Sequence, residues 1–358
     1  MRSVMKGVFS VSSLQSIFWN SAEKRIRMFW RITGQLLIML PLLFILQILL
    51  VGVGLGLVAS QGGVSPQQMT DPAAVNRLIS ESPLLMMLAL GAMGISVFVS
   101  VFIAGRFLDR RSFADFGLHF NRRWWADFAF GAGLGAVLML FIFLIELALG
   151  WVTVSGTLVT RVPEASFLLA LLIPLLTFLA VGIYEELFSR GYQLTNLAEG
   201  LSGTPLGKRG AIAAATVISS AVFGLLHATN PNATAFSTFN IAVAGIFLAA
   251  GFILTGELSM PIGLHITWNF FQGNVFGFPV SGGNYRSATF IAVQQGGPDL
   301  WTGGAFGPEA GLLGLGAMLL GIFLTILWVK HRYGEVSLHL AITDPPQRSS
   351  SSRENPPD

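Results

Sequence analysis

Glu185 and Glu186 stand side by side, with Arg190 four residues on, at the end of an apolar run from Phe167 to Tyr184 that carries no charge. Carboxylates against a membrane span are costly and by default mark function. Two more polar pairs follow at the same four-residue spacing inside later apolar stretches, Phe223 with His227 and His265 with Asn269. On a helix, neighbours point about 100° apart while residues four apart share a face. Glu186 therefore pairs with Arg190, and Glu185 turns away toward a cavity. A carboxylate without a full counter-charge suits a general base that deprotonates water. His227 could share that water or shuttle its proton, and donors on His265 and Asn269 could hold the oxyanion of a tetrahedral intermediate. Such a hydrolytic set uses no serine, cysteine, metal or cofactor.

The elements that must position these residues follow from composition. The 358-residue chain is 53% hydrophobic and only 11% charged, with a mean hydropathy of +0.68. This predicts an all-α, polytopic membrane helix bundle. The absence of cysteine excludes disulfides, thiolate nucleophiles and cysteine-ligated metals. The net charge of +3 is small and gathers beside apolar spans, which argues for a topology signal and against nucleic-acid binding.

Eight runs are long enough to span hydrocarbon: about Gly34 to Ser60, Pro83 to Ala104, Phe128 to Trp151, Ala165 to Tyr184, Ala211 to His227, Ala235 to Leu254, Met260 to Phe278 and Gly311 to Val329. Arg106, Arg110, Arg111, Arg122 and Arg123, then Lys208 and Arg209, then Lys330 and Arg332 place these ends and both termini on the cytoplasmic side. Residues 1–33, with Trp19, Phe29 and Trp30 among Lys24, Arg25, Arg27 and Arg31, read as a basic interfacial segment lying on an anionic membrane surface, with an ordinary basic flank as the equal alternative. Residues 34–330 form one bundle, with the chemistry at about 165–280. Residues 331–358 are too polar to order and are expected to be a disordered cytoplasmic tail. Pro279 to Pro308 is an outer loop, Glu146 is expected to snorkel to the interface, and Asn230, Asn232 and Asn240 read as turn or packing residues.

Glu185-Glu186-Leu187-Phe188-Ser189-Arg190-Gly191, Phe223-Gly224-Leu225-Leu226-His227 and His265-Ile266-Thr267-Trp268-Asn269 resemble the three ordered motifs of the CPBP intramembrane protease family. That family includes the type II CAAX prenyl endopeptidases and bacterial relatives called Abi proteins. The resemblance covers about Leu168 to Phe278. It implies eight helices, a cavity open to the cytosol, and a glutamate-dependent, metal-independent endopeptidase acting on a membrane-associated peptide or protein. By motif position, Glu185 and His227 would activate water, His265 and Asn269 would stabilise the oxyanion, and Glu186, Arg190 and Phe223 would support them. The chain looks closest to the bacterial branch, which implies a plasma membrane address and leaves the substrate and oligomeric state open.

Three rivals compete with this reading. A zinc hydrolase would use Glu185, His227 and His265 as its protein ligands. A non-catalytic immunity or scaffold protein would use the buried polar residues for packing alone, and a transporter would use them as a proton relay. One tension lies within the leading reading itself. If the fifth span runs straight from Ala211, His227 falls about 25 Å from Glu185 at ~1.5 Å per residue. Either that span is displaced, or Gly191 to Gly210 enters the membrane.

Overall fold

The computed structural model describes residues 16–21, 23–60, 65–162 and 165–346. Helices follow the apolar runs: α1 (Met28–Ser60), α2 (Pro83–Ala104), α3 (Arg122–Ala148), α4 (Phe167–Glu186), α5 (Thr195–Ser202), α6 (Gly207–Leu226), α7 (Ala235–Thr255), α8 (Ser259–Phe270) and α9 (Leu312–Tyr333). Starts are set by local chemistry. Ser82 caps α2 ahead of Pro83, Asn121 accepts from the Arg123 and Trp124 amides at α3, and Thr234 with Ser237 forms a capping box at α7. Seven stretches among the described residues are long and apolar enough to cross a membrane. The expected span from Met260 is the shorter α8, which continues through a π turn to Val275 and is enclosed by its neighbours.

The fourth span departs most from expectation. It does not end at the glutamate pair but continues through a π turn, Leu187–Leu194, into α5, so that Phe167–Ser202 is one 36-residue helical stretch. Glu185 therefore lies in its middle. Short turns return the chain into α6, and His227 caps the far end of that helix. Measured from this connection at ~1.5 Å per residue, Glu185 and His227 both lie roughly 25–30 Å away. The expected mismatch in depth came from ending the span at its first charge. Burial of Glu186, Arg190 and Glu199 among protein side chains removes the reason for the helix to stop.

Close helix packing brings α8 against α3. Gly131, Gly135 and Gly263 line the crossing, where a β-carbon on Gly131 would come 2.3 Å from the Met260 carbonyl oxygen and one on Gly263 2.3 Å from that of Phe128. Small residues at four-residue spacing let membrane helices approach this closely. Gly131→Ile is expected to force the helices apart and to lower stability by about 1–3 kcal/mol or more, read as a fall in the thermal unfolding midpoint in detergent. Gly133→Ala, where open space surrounds the position, is the control and should change little.

At the end of the bundle opposite the basic clusters, β1 (Val152–Thr160) pairs antiparallel with β2 (Ala288–Gln295) around a bulge between Val154 and Gly156. This orders much of what the sequence left as an outer loop. Glu146 does not snorkel: it is buried and accepts a hydrogen bond from Gln295 Nε2 at 2.9 Å, because β2 delivers that partner. Asn232 and Asn240 serve packing as expected, donating to the carbonyls of Ala305 and Gly311.

Both chain ends differ from expectation where they are described. Met28 to Ile32 is the first turn of α1, and Trp19–Asn20 pairs with Arg25–Ile26, so this stretch is not one surface helix. Arg25 and Arg31 are buried rather than lipid-facing, because Glu199 accepts from both and also from Arg111. Within 331–346, residues 331–333 complete α9 and the stretch from Leu338 to Thr343 packs against the bundle rather than being disordered. The His339 amide donates to the Ile253 carbonyl, Ile342 is buried, and the Asp344 carbonyl accepts from Arg111 at 2.6 Å. Residues 1–15 and 347–358 lie outside the described residues.

Candidate active site

Three segments far apart in sequence deliver the site. The middle of the Phe167–Ser202 stretch carries Glu185, Glu186 and Arg190, the end of α6 carries Phe223 and His227, and α8 carries His265 and Asn269. Glu185, Phe223, His227, His265 and Asn269 line one cavity of ≈ 450 Å³. Its remaining wall is largely apolar, with Leu36, Met39, Leu90, Met93 and Val97 from α1 and α2.

The two glutamates divide as helical geometry requires. Glu186 is fully buried, and its Oε1 meets Arg190 Nη1 at 3.0 Å and His265 Nδ1 at 2.7 Å. Arg190 also donates to the Gly245 carbonyl, and its guanidinium lies 4.5 Å from the centre of the Phe223 ring. Phe223 in turn stands between the two imidazoles, 4.7 Å from the ring of His227 and 6.3 Å from that of His265. Glu185 faces the cavity. Its Oε2 is buried without a hydrogen-bond partner among the described residues and lies 3.9 Å from His265 Nε2. Its Oε1 accepts only a long bond, 3.4 Å, from the Tyr184 hydroxyl.

Hydrogen bonding fixes which nitrogens can work. His227 Nδ1 lies 2.8 Å from the Phe223 carbonyl oxygen. A carbonyl only accepts, so Nδ1 carries the proton and Nε2 is left for the cavity. His265 Nδ1 likewise donates to Glu186, leaving Nε2 toward Glu185. Among the described residues no three His, Cys, Asp or Glu side chains are grouped as a metal would need, the Glu185, His227 and His265 set of the zinc alternative included.

The segment after α8 contributes residues that no motif or helical spacing marks. Tyr285 and Ser281 line the same cavity, and burial together with the nearby Glu185 carboxylate pushes the Tyr285 phenol up to about 12, so it remains a donor. Asn230, read as a turn residue, also lines the cavity and donates to the Ser281 carbonyl at 3.0 Å. Glu309 is buried beside His227, His265 and Asn269 in a small adjoining cavity of ≈ 40 Å³. Its carboxylate accepts from the Ser281 amide and hydroxyl and from Gln272 Nε2. The available signal was one acid, in Pro308-Glu309-Ala310, set among glycines and apolar residues just before the last span.

Burial pushes the Glu309 carboxyl from its ordinary 4.5 up to about 7, against hydrogen bonds from Gln272 and Ser281 that favour the anion. Between those values the folded protein holds a proton that the unfolded chain has released, so stability is fully present in acid and falls as pH rises. The loss from this one group reaches about 3 kcal/mol. Thermal unfolding of wild type should show that decline between pH 4.5 and 7, the same interval bounded by the two values, and Glu309→Gln should flatten it. An undiminished slope in the variant would mean that another group is responsible.

Residues 167–271 match the family model described as type II CAAX prenyl endopeptidase Rce1-like. The match contains every residue of the three motifs. No curated protein and no solved structure matches the chain.

Proposed function

Taking as premise that residues 167–271 form a domain of the Rce1-like, type II CAAX prenyl endopeptidase family, within an integral multi-pass membrane protein, we propose that the chain is an intramembrane endopeptidase whose attacking water is activated by Glu185. The observation that carries this is the Glu185 carboxylate, aimed into the cavity with one buried, unpartnered oxygen 3.9 Å from His265 Nε2.

Glu185 takes a proton from a water held between it and His227 Nε2, and the hydroxide adds to the scissile carbonyl carbon. The resulting oxyanion is met by the Asn269 amide and by the imidazolium of His265, whose Nδ1–H is held by Glu186 and whose Nε2–H faces the cavity. Collapse of the tetrahedral intermediate breaks the C–N bond, and the proton taken from water passes to the leaving amine. Glu186, Arg190 and Phe223 touch no reacting atom and hold His265 and His227 in place. No cofactor takes part. The apolar wall from α1 and α2 supports a membrane-associated peptide or protein as substrate. The basic helix ends fit a cytoplasmic side, with a bacterial plasma membrane as the address.

The test is cleavage of a membrane-anchored peptide library by the purified full chain, with and without exhaustive chelation. Peptide products that persist in chelator support the mechanism. Cleavage lost on chelation and restored by zinc would instead assign Glu185, His227 and His265 to a metal.

A further inference from the structure

At the end of the bundle opposite the basic clusters lies a second cavity, of ≈ 520 Å³, bounded by both strands and by the short helix Asp299–Thr302. Arg161 and Arg286 both line it, with Ser155, Thr289, Gln294 and Asp299. Arg286 is half-buried, and its hydrogen bonds go to neutral acceptors, the Asn284 side chain at 2.9 Å and the Gly277 carbonyl at 3.1 Å. Neither arginine makes an ion pair among the described residues. Burial, and then the charge of Arg161, lower the pKa of Arg286. Two neighbouring cations, one partly withdrawn from water and neither held in an ion pair, repel each other across the cavity. An oxyanion between them removes the repulsion, and the guanidinium fork matches phosphate with paired hydrogen bonds.

Two further features narrow the ligand. Asp299, on the same cavity, adds one negative charge that a lone phosphate would not need and that an ammonium group would meet. The surroundings are also interfacial. Ser155 and Val159 of β1, with Arg161 just after it, line the cavity, while Val154 and Leu158 do not and are exposed, Leu158 by 60%. Beside Asp299, Leu300 and Trp301 are exposed as well, and tryptophan with aliphatic side chains is typical of the headgroup level of a bilayer. We propose that this cavity binds the headgroup of an amine-bearing phospholipid, with its phosphate on Arg161 and Arg286 and its ammonium on Asp299. The site is separate from the hydrolytic cavity, and its occupancy does not depend on the proposed reaction.

The experiment is native mass spectrometry of the detergent-purified full chain, supplied in turn with phosphatidylethanolamine, phosphatidylglycerol and inorganic phosphate. Wild type should retain phosphatidylethanolamine, Arg161→Gln/Arg286→Gln should lose at least about tenfold of that retention, and Asp299→Asn should erase the preference over phosphatidylglycerol. Arg161→Gln alone, at an exposed position, should already weaken retention and serves if the double variant does not fold. Equal phosphatidylethanolamine retention by wild type and the arginine variants would overturn the proposal. So would binding of inorganic phosphate that the arginine substitutions abolish while lipid retention stays unchanged, since that would make the cavity a free-anion site.

Discussion

Glu185→Gln should reduce cleavage by about 10²–10⁴-fold, the usual contribution of a general base, while the variant purifies and unfolds like wild type. The asymmetry follows from its contacts. Glu185 makes one long hydrogen bond, to the Tyr184 hydroxyl, and its other oxygen has no hydrogen-bond partner among the described residues and only a distant charge contact, 3.9 Å, with His265 Nε2, so an amide of the same shape gives up little structure. The measurement is turnover of any peptide cleaved by wild type, alongside thermal unfolding of both proteins. A fully active variant would refute the role assigned to this carboxylate. An inactive variant that also fails to fold would move Glu185 into the scaffold and favour a non-catalytic protein.

Arg190→Ala should do the reverse and damage the fold. Arg190 and Glu186 are 1% and 0% exposed, and removing one partner of a buried pair leaves an uncompensated charge, at a cost of about 3–5 kcal/mol. The same substitution removes the bond to the Gly245 carbonyl and the cation above the Phe223 ring, loosening α7 and α6 together. Thermal unfolding in detergent should show a large downward shift or no folded protein. Glu186→Gln/Arg190→Met, which removes both charges, should recover part of the loss; it will not recover activity, because His265 Nδ1 then faces a neutral partner in place of a carboxylate. An Arg190→Ala protein as stable as wild type would show that the pair contributes nothing net.

The residues of this site were legible because each lies on a helix and its partner is four positions away, so local periodicity alone pairs Glu186 with Arg190 and Phe223 with His227. The convergence of the three pairs was suggested by their common membrane setting. Their contacts across the bundle, such as His265 Nδ1 on Glu186, could not be read from any single segment. Glu309, Ser281 and Tyr285 are not legible for another reason: they come from a single 3₁₀ turn and from irregular backbone, too short for a period to link sequence position to direction. The span boundary after Tyr184 and the order of the tail after Lys330 are not legible because a charge in the sequence signals water by default. Glu199 and Arg31 are instead buried against each other, and Asp344 is joined to Arg111 and Lys208. A charge that finds its partner within the protein gives the same sequence signal as one that reaches solvent.

The π turn at Leu187–Leu194 acts on the phase of the long helix. Before it, Glu186 turns into the bundle toward His265; near its end Tyr192 reaches Asp109, and beyond it Glu199 reaches the three arginines. A wide turn of this kind behaves as a one-residue insertion that a helix has absorbed. Excising one residue would restore a regular helix and rotate everything on one side of it by about 100°. A form of this chain one residue shorter in this stretch therefore cannot keep both sets of partners in register, and Arg31, Asp109 and Arg111 would lose theirs.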